Sequence, residues 1–221
     1  MTEFSFDCTG IAAQQYSAAP ALDILLRISE TTGARIDAVA LRCQVRIEPT
    51  RRRYGRDEAA RLYDLFGDAA RWPDTLKPLQ VATLTAVVPG FRGATDTVLP
   101  LPCNYDLDVA CAKYFHALDD GEIPLLLLFS GTVFRTDTAA GQDGRIQVEQ
   151  VPWSKECAYR LPVKIWREAI DRHFPAGGWI RAGRETLDAL QRFKSAQALT
   201  TWDATLEALL RRAGERADDR A

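Results

Sequence analysis

The chain has 221 residues, an apolar fraction of 47%, a charged fraction of 26% and a formal net charge of −2. This length buries a hydrophobic core without needing disulfides or a structural metal, and the composition is that of a globular protein. A weak negative field excludes general attraction to nucleic acid or to an anionic membrane, so any electrostatic recognition has to be local.

The opening residues, MTEFSFDCTG, contain neither a basic region nor a long apolar stretch, and no secretory signal is read there. The longest apolar run, Ile123 to Phe129, is too short to span a bilayer. Five cysteines, Cys8, Cys43, Cys103, Cys111 and Cys157, include no CxxC pair. The expectation is a cytoplasmic protein with reduced thiols and no membrane span.

In chain order, Leu22, Ile24, Leu26 and Ile28 alternate with Asp23, Leu25, Arg27 and Ser29, and Val39, Leu41, Cys43, Val45 and Ile47 alternate with Ala40, Arg42, Gln44, Arg46 and Glu48. Period-two alternation predicts two strands, each with one buried face. The intervening ETTGA reads as a hairpin turn around Gly33, which would set Asp23 opposite Arg42. Next, Arg56 to Phe66 predicts a helix, with Asp57 and Glu58 in its first turn and Gly67 as its cap.

Further strands are predicted at Gln80 to Val88, Thr95 to Leu101, Tyr105 to Phe115, Ile123 to Arg135 and Arg145 to Val151, separated by Pro, Gly and Asp turn signals that include Ala140-Gly141 and Asp143-Gly144. The run Leu125 to Phe129 lacks alternation and is placed mid-sheet with both faces covered. From Leu161 the period changes to that of helices. Pro162 suits a first helical position, Ile165, Trp166, Ala169 and Ile170 form a stripe, Ala176 to Gly178 is a loop, and two helices follow from about Gly183 and Thr201.

The fold class expected is therefore α+β: an antiparallel β-sandwich of seven to eight strands over residues 1–160 with a helical insertion at 56–67, a C-terminal three-helix segment at 161–212 packed on it, and a frayed tail at 213–221. Trp153, Trp166, Trp179 and Trp202 are expected as anchors where strands give way to helices.

Little in the chain points to chemistry. His116 is expected to close a strand and His173 a helix, and neither lies in a ligand or triad spacing. Cys103 and Cys111, eight strand residues or about 26 Å apart, cannot share a metal, and with Cys43 they read as small core residues. Cys8 and Cys157 fall in weakly patterned segments and are the candidates for exposed thiols. Asp106, Asp108, Asp119, Asp120 and Glu122 could supply oxygen ligands to calcium, although outward strand positions and Asp-Asp-Gly turns are acidic for ordinary reasons. No phosphate-binding, dinucleotide, zinc-protease or nucleophile-elbow motif is present, so no catalytic residue and no cofactor are assigned.

One feature stands out: Arg51, Arg52, Arg53 and Arg56 precede the predicted helix, Arg42 and Arg46 point outward from the strand before it, and Tyr54 can stack on a guanidinium. These seven residues are the candidate partner-binding site. An acidic protein surface fits them better than nucleic acid, given the net charge. The bland alternative is that Asp23, Glu48, Asp57 and Glu58 neutralise them as surface pairs.

The segments ETTGARIDAVALRCQVRIEPTRRRY, LFG with RW shortly after, VPGF, KYFHALDDGEIPLLLLFSGTVF, VPW and TWD together resemble an uncharacterised family of bacterial proteins encoded beside actinobacterial-type, high-affinity nickel–iron hydrogenases. The resemblance covers about Phe4 to Leu210 and is most specific from Lys113 to Phe134. It implies an accessory role in assembly, scaffolding or regulation, with a protein partner such as the hydrogenase or another product of its gene cluster. The missing Cys and His ligand clusters weigh against nickel insertion or electron transfer and favour a non-catalytic, protein-binding role. The alternatives are an enzyme of unfamiliar type, with a site in the sandwich loops or at the strand–helix junction, and a calcium-dependent binding module.

Overall fold

In the computed structural model, residues 3–103, 109–137, 145–175 and 182–214 are described. The expected turn at 140–144, the loop at 176–178, Trp179, the calcium candidates Asp106 and Asp108, and the tail from 215 lie outside them. The chain divides into two compact units, Met1–Gly177 and Gly178–Ala221.

The first unit is an antiparallel sandwich of eight strands in two sheets. β1 (Phe4–Ala13), β2 (Ala21–Glu30) and β5 (Ala94–Pro102) form a three-stranded sheet in the order β1-β2-β5. β3 (Arg35–Ile47), β4 (Leu79–Arg92), β6 (Glu122–Asp137), β7 (Arg145–Gln150) and β8 (Glu156–Pro162) form the other, in the order β4-β3-β6-β7 with β8 also on β6. The alternation read in the sequence is what fills the gap between them. Leu22, Ile24, Leu26 and Ile28 are almost fully buried on β2, as are Val39, Leu41, Cys43, Val45 and Ile47 on β3. Phe6 of β1 stacks on Phe129 of β6, with ring centroids 4.5 Å apart.

The expected β2–β3 hairpin does not form. Both strands are central in their sheets and belong to different ones, so the link at 31–34 crosses the sandwich, with Gly33 at φ 79°. Asp23 lies opposite Ala12 and Pro100, and Arg42 opposite Thr85 and Ser130. β1, whose Phe4, Phe6 and Cys8 alternate with Ser5, Asp7 and Thr9, pairs with one edge of β2, and β5 takes the other. A second crossing at Gly93, between β4 and β5, is tied to the first by Glu30 N–H donating to Gly93 O at 2.6 Å.

The predicted strand Tyr105 to Phe115 is also corrected. Its described part is a helix, α4 (Val109–Ala117). Cys111, Tyr114, Phe115 and Leu118 are buried, together with Ala117, and recur at spacings of three and four that belong to a helix and not a strand. His116 therefore sits in a helix, and Cys103 and Cys111 share no strand. Cys103 lies just past β5, and the Cys111 Sγ faces the Gln80 carbonyl at 3.3 Å. Cys8 and Cys157 are half-buried on β1 and β8, not exposed. Burial pushes the Cys8, Cys43 and Cys103 thiols up to about 12, which favours their protonated form at neutral pH.

The helical start at 161–162 shifts by one residue. Pro162 ends β8 and serves as the N-cap of α5 (Val163–His173), which begins at the next residue. α5 belongs to the first unit and buries Val163, Trp166 and Ala169. Trp166 stacks on Phe115 of α4 at 5.2 Å. His173 closes α5, with its Nε2 3.0 Å from the Ser17 carbonyl. Of the tryptophans expected as anchors, only Trp166 is buried among those described: Trp153 is 91% and Trp202 45% exposed. The second unit holds α6 (Arg184–Ala196) and α7 (Trp202–Ala213).

β6 is the mid-sheet strand that the apolar run predicted. One of its edges runs along β3, while the other takes β8 at Glu122 to Leu128 and β7 at Thr132 to Asp137. Between them, Phe129 N–H donates to Lys155 O and Val151 N–H to Gly131 O, so the turn carrying Trp153 rides on β6. Gly131 has φ 150°, and a Cβ there would lie 2.2 Å from the Ala40 carbonyl oxygen of β3. Gly131→Ala is therefore expected to destabilise the protein by about 2–4 kcal/mol, as overpacking against immovable backbone does. Urea unfolding checks this, with Gly10→Ala on β1 as a control expected to change little, because a Cβ there would meet only the Leu25 side chain, at 3.4 Å.

Candidate functional site

The segment from Glu48 to Pro78 joins β3 to β4 and contains the arginine cluster. Pro49 opens a 3-10 turn (Pro49–Arg51), the chain extends through Arg52, and Gly55 caps α1 (Arg56–Arg61). Leu62 breaks the predicted single helix, and α2 (Tyr63–Phe66) follows. A 3-10 turn at Ala69–Arg71 and α3 (Trp72–Thr75) complete the insertion.

Glu58 reaches back to the start of α1, with Oε2 accepting from Gly55 N–H at 3.1 Å, the half of a capping box that a glycine N-cap allows. Its Oε1 accepts from Arg52 Nη2 at 2.5 Å and from Asp119 N–H at 3.1 Å. Both side chains of this pair are about nine-tenths buried. Arg52 also donates to the carbonyls of Asp120 (2.7 Å) and Glu122 (2.8 Å). Two further arginines fasten the same turn: Arg61 Nε donates to Ala117 O at 2.9 Å, and Arg167 of α5 to Leu118 O at 2.6 Å. Guanidinium groups thus satisfy the carbonyls that the end of α4 leaves open.

The acidic candidates that are described lie beside arginines. Asp119 pairs with Arg61, Glu122 lies 3.7 Å from Arg160, and Asp120 contributes its carbonyl to Arg52. Among the described residues no group of three acidic, His or Cys side chains is placed to hold a metal ion.

The seven candidate arginine-site residues fall into separate environments. Arg52 is not a solvated surface charge but an internal clamp. Tyr54 lies beneath its guanidinium, 5.6 Å from the ring centroid, and donates its hydroxyl to Pro49 O at 2.8 Å. Tyr114 of α4 then donates to the Tyr54 oxygen across 2.7 Å. Burial pushes the Tyr54 phenol up to about 12, and the Tyr114 phenol higher still, so both remain donors. Arg46 donates to Gln44 at 2.7 Å within a row of side-chain amides. Arg51 is exposed. Arg42 is also exposed and lines a depression of about 680 Å³ with Trp153, Gln44 and Glu156.

Arg53 and Arg56 remain. They line an open pocket of about 850 Å³ whose walls include Tyr54, Tyr63 and Trp72. Both are exposed and form no ion pair or hydrogen bond among the described residues. The Trp72 ring meets Tyr54 edge-on at 5.1 Å, and its Nε1 donates to Gly67 O at 3.1 Å, which holds the aromatic wall in place. Tyr63, 65% exposed, is the accessible aromatic. Sequence reasoning singled out neither Tyr63 nor Trp72 as a site residue. The available signal was a run of short helices, with no broad apolar stripe, that nevertheless carries large aromatics.

The arrangement is a concave, aromatic-walled surface with two uncommitted guanidinium groups at its rim. The family comparison covers all of it, matching residues 1–218. The chain belongs to DUF6084, a family of unknown function. No curated protein and no solved structure matches the chain. No described helix is long and apolar enough to cross a membrane.

The two kinds of arginine in this DUF6084 chain should separate in unfolding experiments. Arg52→Ser leaves Glu58 buried without its cation and is expected to cost about 3–5 kcal/mol. Arg51→Ser and Arg53→Ser should each stay within about 0.5 kcal/mol of wild type. Chemical denaturation of the three single variants measures the contrast.

Proposed function

We propose that this protein is a non-catalytic binding protein and that the pocket beside α1 grips an acidic, partly apolar segment of another protein. The observation that carries this reading is the pairing of unspent cations, Arg53 and Arg56, with the aromatic surface of Tyr63 and Trp72 around one concavity. Exposed guanidinium groups that the fold does not use remain free for carboxylates, which they bind with paired, charge-assisted hydrogen bonds. An aromatic wall supplies contact area at low entropic cost, and Tyr, Trp and Arg are the residues that dominate binding energy at interfaces.

The segments quoted from the sequence resemble proteins encoded beside nickel–iron hydrogenases. On that resemblance, the partner is the hydrogenase or another product of its gene cluster, and the role is assembly, scaffolding or regulation. The overall acidity of the chain favours a protein partner over nucleic acid.

Co-purification from cells producing such a hydrogenase tests the proposal. Wild-type protein should retain a hydrogenase-cluster protein, with retention falling as salt rises. Arg53→Glu combined with Arg56→Glu should melt like wild type and bind at least about tenfold more weakly, the loss of one charge-assisted hydrogen bond being sufficient for that. Undiminished retention by the double variant would sink the assignment of this pocket.

A further inference from the structure

A second depression, of about 680 Å³, lies on the outer face of the larger sheet, and no residue of the β3–β4 insertion lines it. Strand register fixes its floor. Gln44 of β3 is opposite Leu128 of β6, and Leu128 is opposite Glu156 of β8. The next outward pair along β3 and β6 is Arg42 and Ser130. These side chains point away from the core, because the alternate positions Cys43, Val45, Leu127 and Phe129 are the buried ones.

Trp153 stands at the rim of this floor and is 91% exposed. Its turn is fastened on both sides. Phe129 N–H donates to Lys155 O at 2.8 Å, Val151 N–H to Gly131 O at 2.9 Å, and Lys155 N–H to Pro152 O at 3.1 Å. The fold thus keeps an indole in water at a fixed place beside a polar floor. Gln44 is held by Gln80 and Arg46. The side chains of Arg42, Ser130 and Glu156 are exposed and form no ion pair or hydrogen bond among the described residues.

These features select the ligand. Arg42 and Glu156 are the charged residues of the lining, one of each sign. An anion would gain from Arg42 what it loses to Glu156, and a cation the reverse. The accessible apolar surface is mainly Leu128 and one indole, short of the apolar centre of a stable protein interface. A neutral, polyhydroxylated molecule fits instead. Sugar hydroxyls both accept and donate, which matches guanidinium donors and carboxylate acceptors on one floor. A sugar ring also has a flat C–H face to lay on an indole. Strand spacing and rise set the backbones of Arg42 and Glu156 about 12 Å apart, so linked rings bridge them better than a single one.

We propose that this face of the larger sheet binds a neutral oligosaccharide, with Trp153 as the stacking platform and Arg42 and Glu156 as the hydroxyl-binding pair. The site shares no lining residue with the arginine pocket, so neither reading depends on the other.

Calorimetric titration of the full chain with neutral oligosaccharides of glucose, mannose, galactose and N-acetylglucosamine tests this. At least one should bind saturably, with an affinity that salt leaves unchanged. Trp153→Ala should abolish binding, and Arg42→Ala and Glu156→Ala should each weaken it at least about tenfold. Arg53→Glu with Arg56→Glu should leave it intact. Should any variant melt below wild type, the indole N–H resonance of Trp153, identified by its loss in Trp153→Phe, decides the matter by shifting when wild type is titrated. The proposal is overturned if no sugar of the panel binds, or if binding survives Trp153→Ala. It is equally overturned if only a charged sugar or a peptide moves the Trp153 resonance.

Discussion

The Arg52–Glu58 pair is the buried tie between the β3–β4 insertion and the turn after α4, at the centre of the contacts that Arg61 and Tyr54 make to the same helix and turn. Glu58 caps α1 from within, and Arg52 carries that cap across to the carbonyls of Asp120 and Glu122. A buried ion pair is a doubtful source of net stability, because desolvation offsets most of its attraction. Its value here is geometric. It fixes where the insertion sits, at the point where the chain leaves α4 and enters β6. Gly121, at φ 81°, leaves the space the guanidinium occupies, since a Cβ there would lie 3.1 Å from Arg52 Nη1. The pocket is a consequence of this arrangement. With Arg52 turned inward, Tyr54 becomes an inner wall, and the neighbouring Arg53 and Arg56 are left facing solvent.

Much of the sandwich could be read from residue order, because its strands are half-buried and alternation records that directly. Leu22 to Ser29 and Val39 to Glu48 declare a buried and an exposed face without reference to the rest of the chain. Which strands would pair was not legible. Two alternating strands joined by a glycine turn look alike whether they form a hairpin or cross between sheets. The difference lay in β1, where Phe4, Phe6 and Cys8 alternate with Ser5, Asp7 and Thr9: the pattern marks a strand but not which strand it pairs with. The helix α4 was missed for a related reason: Cys111, Tyr114, Phe115 and Leu118 have helical spacing, but the alternating residues before them extend a strand pattern into it.

The candidate site was legible in place but not in role. Arg52 and Arg53 are chemically identical neighbours, and nothing within the segment distinguishes them. The turn that selects Arg52 for burial lies more than sixty residues away in sequence, and only folding brings it near. The acidic residues of that turn illustrate the same point. Asp119 and Glu122 suggested a cation site, and the cations they meet are guanidinium groups.

β6 has a consequence for how this molecule comes apart. Its 16 residues run unbroken beneath two partners in succession on one edge, while the other edge is bonded to β3. Neither β7 nor β8 can be reached by opening a local flap of β6, because the strand is continuous and backed by β3 along most of its length. Opening its centre means releasing three ladders in the same event. Amide protons of Leu125 to Leu128 should therefore exchange with solvent only when the whole larger sheet is lost, reporting its global free energy rather than a local fluctuation. The short helices of the insertion have no such ladder behind them and are held instead by the buried Leu62 and Phe66 and by the Arg52 and Arg61 clamps.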